Sequence, residues 1–247
     1  MDLTDRVVLV TGGTRMGASL GAALGARGAR VAFSCARSTD AIAHAVDRTI
    51  AAGGQAVAIG ADLRDPAACE QLVTEAIAWG GRLDVLVALA STYERVPIAE
   101  VTDDAWRAHL AVDLDATFHC ARAAALHMRR RGGGGHLLFC SDWVAASGRP
   151  RYTGYVPYYV AKAGVVALTE ALALELAGDA IQVNAIAPGP ILPAVGSSPE
   201  MQASVIRATP LGHWGGPAAL THAVMGLLDQ DWVTGQTLRV DGGRHLH

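Results

Sequence analysis

The amino-acid sequence predicts an α/β fold in which a doubly wound parallel sheet of seven strands carries helices on both faces. Short apolar or β-branched runs alternate with longer segments whose apolar residues recur at steps of three and four, and this alternation indicates strand–helix–strand units. Right-handed crossovers between such units give a doubly wound sheet. The chain has 247 residues, is 51% hydrophobic, and contains neither an internal repeat nor a linker. We therefore expect one domain over residues 1–247.

The strands are predicted from their β-branched and apolar content, and the helices from their three- and four-residue periodicity. Helical patterns cover Pro66–Trp79 and Val165–Leu176, among other segments between the strands. In a sheet of this kind the ligand lies beyond the carboxyl ends of the strands, so the residues that follow each strand matter most for function. The predicted strands are Val7–Val10, Arg30–Cys35, Ala56–Gly60, Val85–Leu89, His136–Cys140, Gln182–Ile186 and Thr237–Val240.

Composition and charge narrow the functional classes. The net charge of −3 does not indicate a protein that binds nucleic acid. The run "RRRGGGG" at 129–135 is typical of an exposed helix end followed by a turn. Four cysteines without CxxC or zinc spacing indicate free, mostly buried thiols in a reducing compartment, and no metal site is expected. No apolar run reaches the length of a membrane span or a signal peptide. We expect a cytoplasmic protein with a small-molecule substrate.

Three loops after the first strands could hold a dinucleotide. In "TGGTRMG", Gly12 can form a tight turn and Gly17 can let a helix approach, so that backbone N–H groups face a pyrophosphate; an ordinary glycine-rich turn has the same pattern. "SCARST" lacks the acid that binds a ribose 2′-hydroxyl. Its Arg37, together with Arg15, instead favours a 2′-phosphate, unless Arg37 is merely solvated. In "GADLRD", Asp62 could meet an adenine amine or cap a helix.

The later loops carry candidate acid–base groups. Tyr158 and Lys162 are four residues apart and share a helix face. A lysine ammonium beside a tyrosine favours the phenolate and is expected to bring the pKa of Tyr158 down toward the working range. The turn "VNAIAPGPIL" could form a wall beside a flat ring, or could simply end a strand.

The order of these motifs resembles the short-chain dehydrogenase/reductase family. TGxxxxG, YxxxK, "NAIAPG" and "VTGQTLRVDGG" occur in the family's order and span nearly the whole chain. The resemblance implies a Rossmann-type fold, a nicotinamide dinucleotide, and a homodimer or homotetramer, of which we expect the homotetramer. It also implies hydride transfer with Tyr158 as proton donor, while Lys162 binds the nicotinamide ribose and tunes Tyr158.

Several positions depart from the family pattern. The glycine loop either lacks one residue or carries Met16 and Ala18 in place of glycines, and "ALAS" at 88–91 replaces the usual Asn-Asn-Ala-Gly. Asp113 stands for the tetrad's asparagine. Asp142 stands for its serine, unless the adjacent Ser141 is that serine. Asp142 also lies sixteen residues before Tyr158, three more than usual, so the segment "ASGRPRYTG" must hold an insertion.

An aspartate at the serine position resembles the pteridine reductase and dihydromonapterin reductase branch. "YVPY" at 155–158 and "ASTY" at 90–93 also resemble that branch, where an aromatic such as Tyr93 would stack on a pterin. A serine hydroxyl donates to a carbonyl and an ionised aspartate cannot, whereas a carboxylate accepts hydrogen bonds from a pterin's N–H groups. The sequence therefore favours an NADPH-dependent pterin reductase. A carbonyl reductase acting on 3-oxoacyl thioesters or polyketides and a non-catalytic dinucleotide sensor are the alternatives.

The resemblance assigns roles to a specific set of residues. The catalytic residues are Tyr158, Lys162, Asp142 and Asp113, and the substrate residues are Ser91, Tyr93, Trp143 and Tyr155. NADP(H) is expected to contact Gly12, Thr14, Arg15, Met16, Gly17, Arg37, Ser38, Asp62, Leu63, Ala90, Tyr158, Lys162, Pro188, Gly189 and Ile191.

Overall fold

The computed structural model describes residues 1–36, 40–194 and 196–246 and contains one seven-stranded sheet. Every neighbouring pair of strands is parallel, and the strand order is β3-β2-β1-β4-β5-β6-β7. The predicted fold class is therefore confirmed. The strands are β1 (Val7–Thr11), β2 (Arg30–Cys35), β3 (Gln55–Gly60), β4 (Val85–Ala88), β5 (Gly135–Cys140), β6 (Ile181–Pro188) and β7 (Thr237–Val240).

β2 and β7 have the predicted bounds, and the ends of the other strands differ by at most two residues, as expected where assignment depends on the last hydrogen bond. The largest difference is at β6, which continues to Pro188 because "NAIAP" still pairs with β7: Ala187 lies opposite Arg239, and Pro188 lies opposite Val240. The turn predicted to end this strand thus begins at Gly189.

The helices begin and end at residues suited to those positions. Asp65 caps α3 through its side chain, Pro66 occupies the first turn, and Gly81 ends the helix in the left-handed conformation. α5 ends at Arg131 and runs into glycines of positive φ, as the "RRRGGGG" pattern predicted. The helices are α1 (Gly17–Gly25), α2 (Asp40–Ala51), α3 (Pro66–Gly80), α4 (Asp103–Leu110), α5 (Ala116–Arg131), α6 (Trp143–Ala146), α7 (Val156–Leu176), α8 (Pro199–Arg207) and α9 (Gly216–Leu228).

The sheet has an apolar core on each face, because successive side chains of a strand point to opposite sides. In β1, Val7 and Leu9 pack with α3, α5 and α7, whereas Val8 and Val10 pack with α1, α2 and α9. All four side chains are fully buried. Helices therefore cover both faces. None of the helices in the described ranges is long and apolar enough to cross a membrane.

A π-helical turn, Ala111–Asp115, joins α4 to α5 without interrupting the helical path. The sequence shows no sign of the wider turn. π-Turns of this kind occur often at functional sites because they move one side chain relative to its helix. Here the turn carries Asp113, which is fully buried.

The direction in which strands are added to the sheet reverses between the neighbouring strands β1 and β4, because the chain passes from β3 at one edge back to β4 beside β1. Sheets of this type bind ligands beyond the carboxyl ends of the strands at this reversal point. A cavity of about 1100 Å³ opens there. The loops after β1, β4, β5 and β6 line the cavity, so it lies at the edge of the sheet where the sequence predicts a ligand site.

Candidate active site

The glycine loop after β1 is built around Gly12. Its φ is +70°, and a Cβ at this position would lie 2.3 Å from the Cα of Ala90, so any other residue would collide with the β4 loop. Met16 has a φ of −112°, which a residue with a side chain adopts readily, and it directly precedes α1. Among the described residues, nothing accepts from the backbone N–H groups of Thr14, Arg15 and Met16. These donors lie at a helix amino terminus and line the cavity, which suits a pyrophosphate.

Of the residues predicted to bind a 2′-phosphate, the structure describes only Arg15. Arg37 and Ser38 lie outside the described residues. The Arg15 guanidinium donates to the carbonyl of Pro193 at 2.8 Å, so it reaches toward the loop after β6.

Arg64 is a further cation near the adenine end, and the sequence analysis did not single it out. It lines the cavity and makes a bidentate pair with Asp62, with Nη2 2.6 Å from Oδ2. Asp62 is therefore engaged by Arg64, in addition to any contact with an adenine amine. Leu63, between them in sequence, also lines the cavity.

Tyr158 and Lys162 lie one turn apart on α7 and face the cavity. Lys162 is buried, donates from Nζ to the carbonyl of Cys140 at 2.9 Å, and lies 5.7 Å from the centre of the Tyr158 ring. Tyr158 Oη donates to Asp142 Oδ2 at 3.0 Å. The geometry thus assembles a phenol, an ammonium and a carboxyl at the inner end of the cavity.

The two residues considered for the serine position have different surroundings. Asp142 caps α6 by accepting from the N–H of Val144 at 2.7 Å, and its second oxygen receives the Tyr158 hydroxyl. Ser141 is buried, and its Oγ donates to the backbone carbonyl of Lys162 at 2.8 Å. The side chain within hydrogen-bond reach of Tyr158 is therefore that of Asp142, while the Ser141 hydroxyl fastens β5 to α7.

The electrostatics of Tyr158 differ from the expectation. Burial, followed by the charges of Asp142, Cys140 and Asp113, raises the pKa of Tyr158 well above its usual value. The lowering expected from Lys162 is thus outweighed, because two carboxyl groups and desolvation act against one ammonium. Burial also raises the pKa of Asp142, against the hydrogen bonds from Val144 and Tyr158 and the charge of Lys162. The site therefore favours a neutral phenol at neutral pH.

Asp113 is fully buried and joins the β4 loop to Lys162. Its Oδ1 accepts from Ser91 Oγ at 2.6 Å and from the N–H of Thr92 at 3.0 Å, and it lies 3.4 Å from Lys162 Nζ. The predicted substrate residue Ser91 therefore has its hydroxyl engaged by Asp113, although it also lines the cavity. The other oxygen of Asp113 lies 3.7 Å from Nδ1 of the buried His109.

His109 was not identified from the sequence. It precedes Asp113 by four residues, and this spacing was the available signal. Both side chains are buried, and Asp113 lies inside the π-turn that begins two residues after His109.

The substrate end of the cavity has an aromatic wall. The Tyr93 and Tyr155 rings stack at 4.9 Å between centroids, and Tyr93 meets the edge of Tyr158 at 5.1 Å. Trp143 is buried and lines the cavity. The Tyr93 ring that was predicted to stack on a substrate thus already stacks on Tyr155, so a flat substrate would have to displace one ring or use another face.

The loop after β6 forms the opposite wall through Pro188, Gly189 and Ile191. Gly189 is required by close packing, since a Cβ there would lie 2.5 Å from the Cβ of Asp241. The "NAIAPG" and "VDGG" motifs therefore meet in space, although 52 residues separate Gly189 from Asp241 along the chain (241 − 189).

Comparison with known proteins agrees with the fold. Residues 14–245 match the profile of the family described as enoyl-(acyl carrier protein) reductase. A 3-oxoacyl-[acyl-carrier-protein] reductase of Synechocystis sp. is 31% identical over 246 residues, covering 98% of this chain and 97% of the relative. An L-rhamnose 1-dehydrogenase (NAD(P)(+)) of Sphingomonas sp. is 31% identical over 253 residues, covering 99% and 98%.

Among solved structures, a short-chain dehydrogenase/reductase from Serratia marcescens superposes with a TM-score of 0.91 at 30% identity, covering 99% of this chain and 100% of that one. The chain belongs to the short-chain dehydrogenase/reductase family, whose members are oxidoreductases that bind a nicotinamide dinucleotide. The relatives named above act on an oxoacyl group or a sugar, and the resemblance to pteridine reductases is not among these findings.

Proposed function

We propose that this protein is an NADPH-dependent carbonyl reductase that acts on a ketone such as a 3-oxoacyl thioester. The observation that carries the proposal is the buried Tyr158 phenol, whose hydroxyl lies 3.0 Å from Asp142 inside the cavity. A phenol kept neutral can give its proton to a carbonyl oxygen, which is what carbonyl reduction requires. The oxoacyl reductase among the relatives supports this substrate class over the pterin first expected from the sequence.

A nicotinamide dinucleotide fits the residues present. The unpaired N–H groups of the Thr14–Met16 turn and the close approach of Gly12 to Ala90 form a cradle for its pyrophosphate. Pro188, Gly189 and Ile191 line the wall where a nicotinamide ring would lie. When bound, the reduced cofactor supplies the hydride that the carbonyl carbon accepts. The preference for NADPH rests on Arg15, Arg37 and Arg64 as candidate partners of a 2′-phosphate.

Residues of the chain itself donate the proton to the substrate. The Tyr158 hydroxyl turns from Asp142 to the substrate's carbonyl oxygen and transfers its proton there as the oxygen gains charge. The Lys162 ammonium, 5.7 Å from the ring centre, stabilises the phenolate that is left. Asp113, 3.4 Å from Lys162 Nζ, holds that ammonium in place.

Asp142 takes the serine's position, and in its protonated form it can perform the serine's role. An ionised carboxylate would oppose the developing alkoxide, and burial raises the pKa of Asp142, which shifts the carboxyl in the direction of the protonated form. A protonated carboxyl is a hydrogen-bond donor and can bind the substrate oxygen as a serine hydroxyl would. The substitution is therefore compatible with ketone chemistry.

Pterin reduction is the second candidate. The ability of Asp142 to accept from ring N–H groups favours it, as does the aromatic wall of Tyr93 and Tyr155. A non-catalytic sensor is a weaker reading, because binding alone does not require a phenol, an ammonium and a carboxyl within contact of each other.

A substrate panel tests these alternatives. Purified protein is mixed with NADPH or NADH and with acetoacetyl thioester, ethyl acetoacetate, dihydrobiopterin or dihydrofolate, and loss of reduced-nicotinamide absorbance is followed. We expect turnover of the oxo compounds and faster turnover with NADPH. Turnover of dihydrobiopterin alone would replace the carbonyl proposal with the pterin one. Binding of NADPH without turnover of any substrate, with Tyr158→Phe as the matched control, would point to a sensor.

We further propose a cytoplasmic homotetramer. Phe118 on α5 and Val160 and Leu174 on α7 are exposed apolar side chains on helices that the family resemblance places at subunit contacts. Light scattering at micromolar concentration is expected to give four times the chain mass, and a monomer mass would refute the assembly.

A further inference from the structure

Two arginines line the substrate end of the cavity and have no role in the proton chemistry. Arg151 comes from the inserted segment between α6 and α7, and Arg244 comes from the carboxyl-terminal turn Arg244–Leu246. The two residues are 93 positions apart (244 − 151), so only the fold brings them to one cavity.

Both guanidinium groups are positioned by Trp143. The Cζ atoms of Arg151 and Arg244 lie 5.9 Å and 5.8 Å from the centre of its ring. Trp143 directly follows Asp142 in the first turn of α6, so the arginines and the proton-handling groups share one short structural unit. Arg151 also donates to the carbonyl of His245 at 3.3 Å, which ties the inserted segment to the carboxyl-terminal turn.

The two charges are not balanced by the protein. In the part of the chain that the structure describes, neither arginine forms an ion pair, and the Nε of each is buried without an acceptor. Nearby Asp241 is occupied by the N–H groups of Gly243 and His245 and by the His245 ring. A half-buried cationic side chain without a counter-charge costs free energy, and an incoming anion would supply the missing charge.

We propose that Arg151 and Arg244 form an anion subsite that selects carbonyl substrates bearing a carboxylate or phosphate group. Guanidinium groups bind both anions through paired N–H donors, and an aromatic face beside them keeps the forks in place. This inference rests on the proposed carbonyl reductase function and names the substrate class of that site. The subsite fixes the remote end of the substrate while Tyr158 and Asp142 act on its carbonyl group.

Matched substrate pairs test the subsite and separate the two anions. Acetoacetate is compared with its ethyl ester, and levulinate with its ethyl ester, for the carboxylate. Acetoacetyl-coenzyme A is compared with acetoacetyl-N-acetylcysteamine for the phosphate. We expect the wild-type protein to prefer the anionic member of at least one pair by about tenfold or more in kcat/KM, which is the size of one charge-assisted hydrogen bond.

Variants assign that preference to the two residues. Arg151→Met and Arg244→Met keep the apolar stem and remove the charge. Each is expected to lower kcat/KM about tenfold for the anionic member, mainly through KM, and to leave the neutral member unchanged. Arg48→Met, on the exposed side of α2, is the matched control and should keep the full preference.

Three results would overturn the inference. Equal kcat/KM for anionic and neutral members of every pair in the wild-type protein would show that no anion is selected. Equal losses on both members in the arginine variants would show that the residues only hold the loop. A lost preference in Arg48→Met would show a general charge effect.

A binding experiment distinguishes failure of the proposed function from failure of the anion subsite. If no oxo compound is turned over, the cofactor-loaded protein is heated with succinate or inorganic phosphate. A rise in Tm that is absent in the Arg151→Met/Arg244→Met variant would keep the subsite while the carbonyl proposal fails. Equal Tm in the presence and absence of both anions would overturn the subsite as well.

Discussion

Separate alanine substitutions of the neighbours Ser141 and Asp142 should have different effects, one mainly on stability and the other mainly on turnover. Asp142→Ala removes the oxygen that contacts Tyr158 Oη at 3.0 Å, whereas Ser141→Ala removes a hydroxyl bonded to the backbone of Lys162 at 2.8 Å. The first change acts on the reacting groups. The second acts on the packing of β5 against α7. The two variants and the wild-type protein are purified and measured under the same conditions.

The structure sets the size of each effect. Loss of a general acid–base partner lowers turnover by roughly 10²–10⁴-fold, so this range is expected for Asp142→Ala. Ser141→Ala removes the second hydrogen bond to a carbonyl that lies inside α7, which costs about 0.5–1.5 kcal/mol. In a chain of this size each kcal/mol lowers Tm by about 2–4 °C. Ser141→Ala should therefore melt earlier and retain turnover close to the wild-type value.

The burial of Asp142 also predicts the direction in which stability changes with pH. Because folding raises the pKa of this carboxyl, the folded state binds a proton more readily than the unfolded state, and the linked stability is lost as pH rises through the folded pKa. Asp142→Asn keeps an oxygen for the Val144 cap and removes the ionisation. The variant should melt higher than wild type at neutral pH, and the difference should shrink in acid.

For each variant, kcat and kcat/KM are measured on one oxo substrate, and Tm is measured on the cofactor-free protein. Asp142→Ser is the restoring variant, since a hydroxyl can donate to a ketone oxygen. It should recover more ketone turnover than Asp142→Ala. If Ser141→Ala abolishes turnover while Asp142→Ala leaves it intact, the assignment of Asp142 to the serine position is wrong.

Three further predictions concern other parts of the chain. Gly12→Ala should weaken NADPH binding in a fluorescence titration, because its Cβ would lie 2.3 Å from the Ala90 Cα; wild-type affinity would refute the cradle. Burial lowers the pKa of His136 to about 4, so stability should be full above its ordinary pKa and fall as pH drops toward 4. Urea unfolding should show a loss of about 2 kcal/mol between pH 7 and pH 5 that His136→Leu largely removes. Asp113→Asn removes a charge that raises the pKa of Tyr158, so the alkaline fall in reductive turnover should move to lower pH; an unchanged profile would contradict the electrostatic argument.

Much of the fold could be predicted because it depends on local chemistry. The alternation of buried strands with amphipathic helices is written in residues a few positions apart, and all seven strands lie where that pattern placed them, to within two residues. The bend at Gly12 could also be predicted, since a tight turn of positive φ requires glycine. The π-turn at Ala111–Asp115 could not, because the apolar period of an α-helix with one wider turn differs little from that of a regular helix.

The amino-acid sequence by itself determined which chemical groups are available: one phenol and one ammonium a helical turn apart, and carboxyls at positions 113 and 142. Only the tertiary structure decided what these groups do. It placed Asp142, and not Ser141, against Tyr158, turned Asp113 toward Lys162 and His109, and brought Arg151 to the same cavity as Arg244. It also reversed the expected shift of Tyr158, because a pKa depends on burial and on charges that are distant in sequence and adjacent in space.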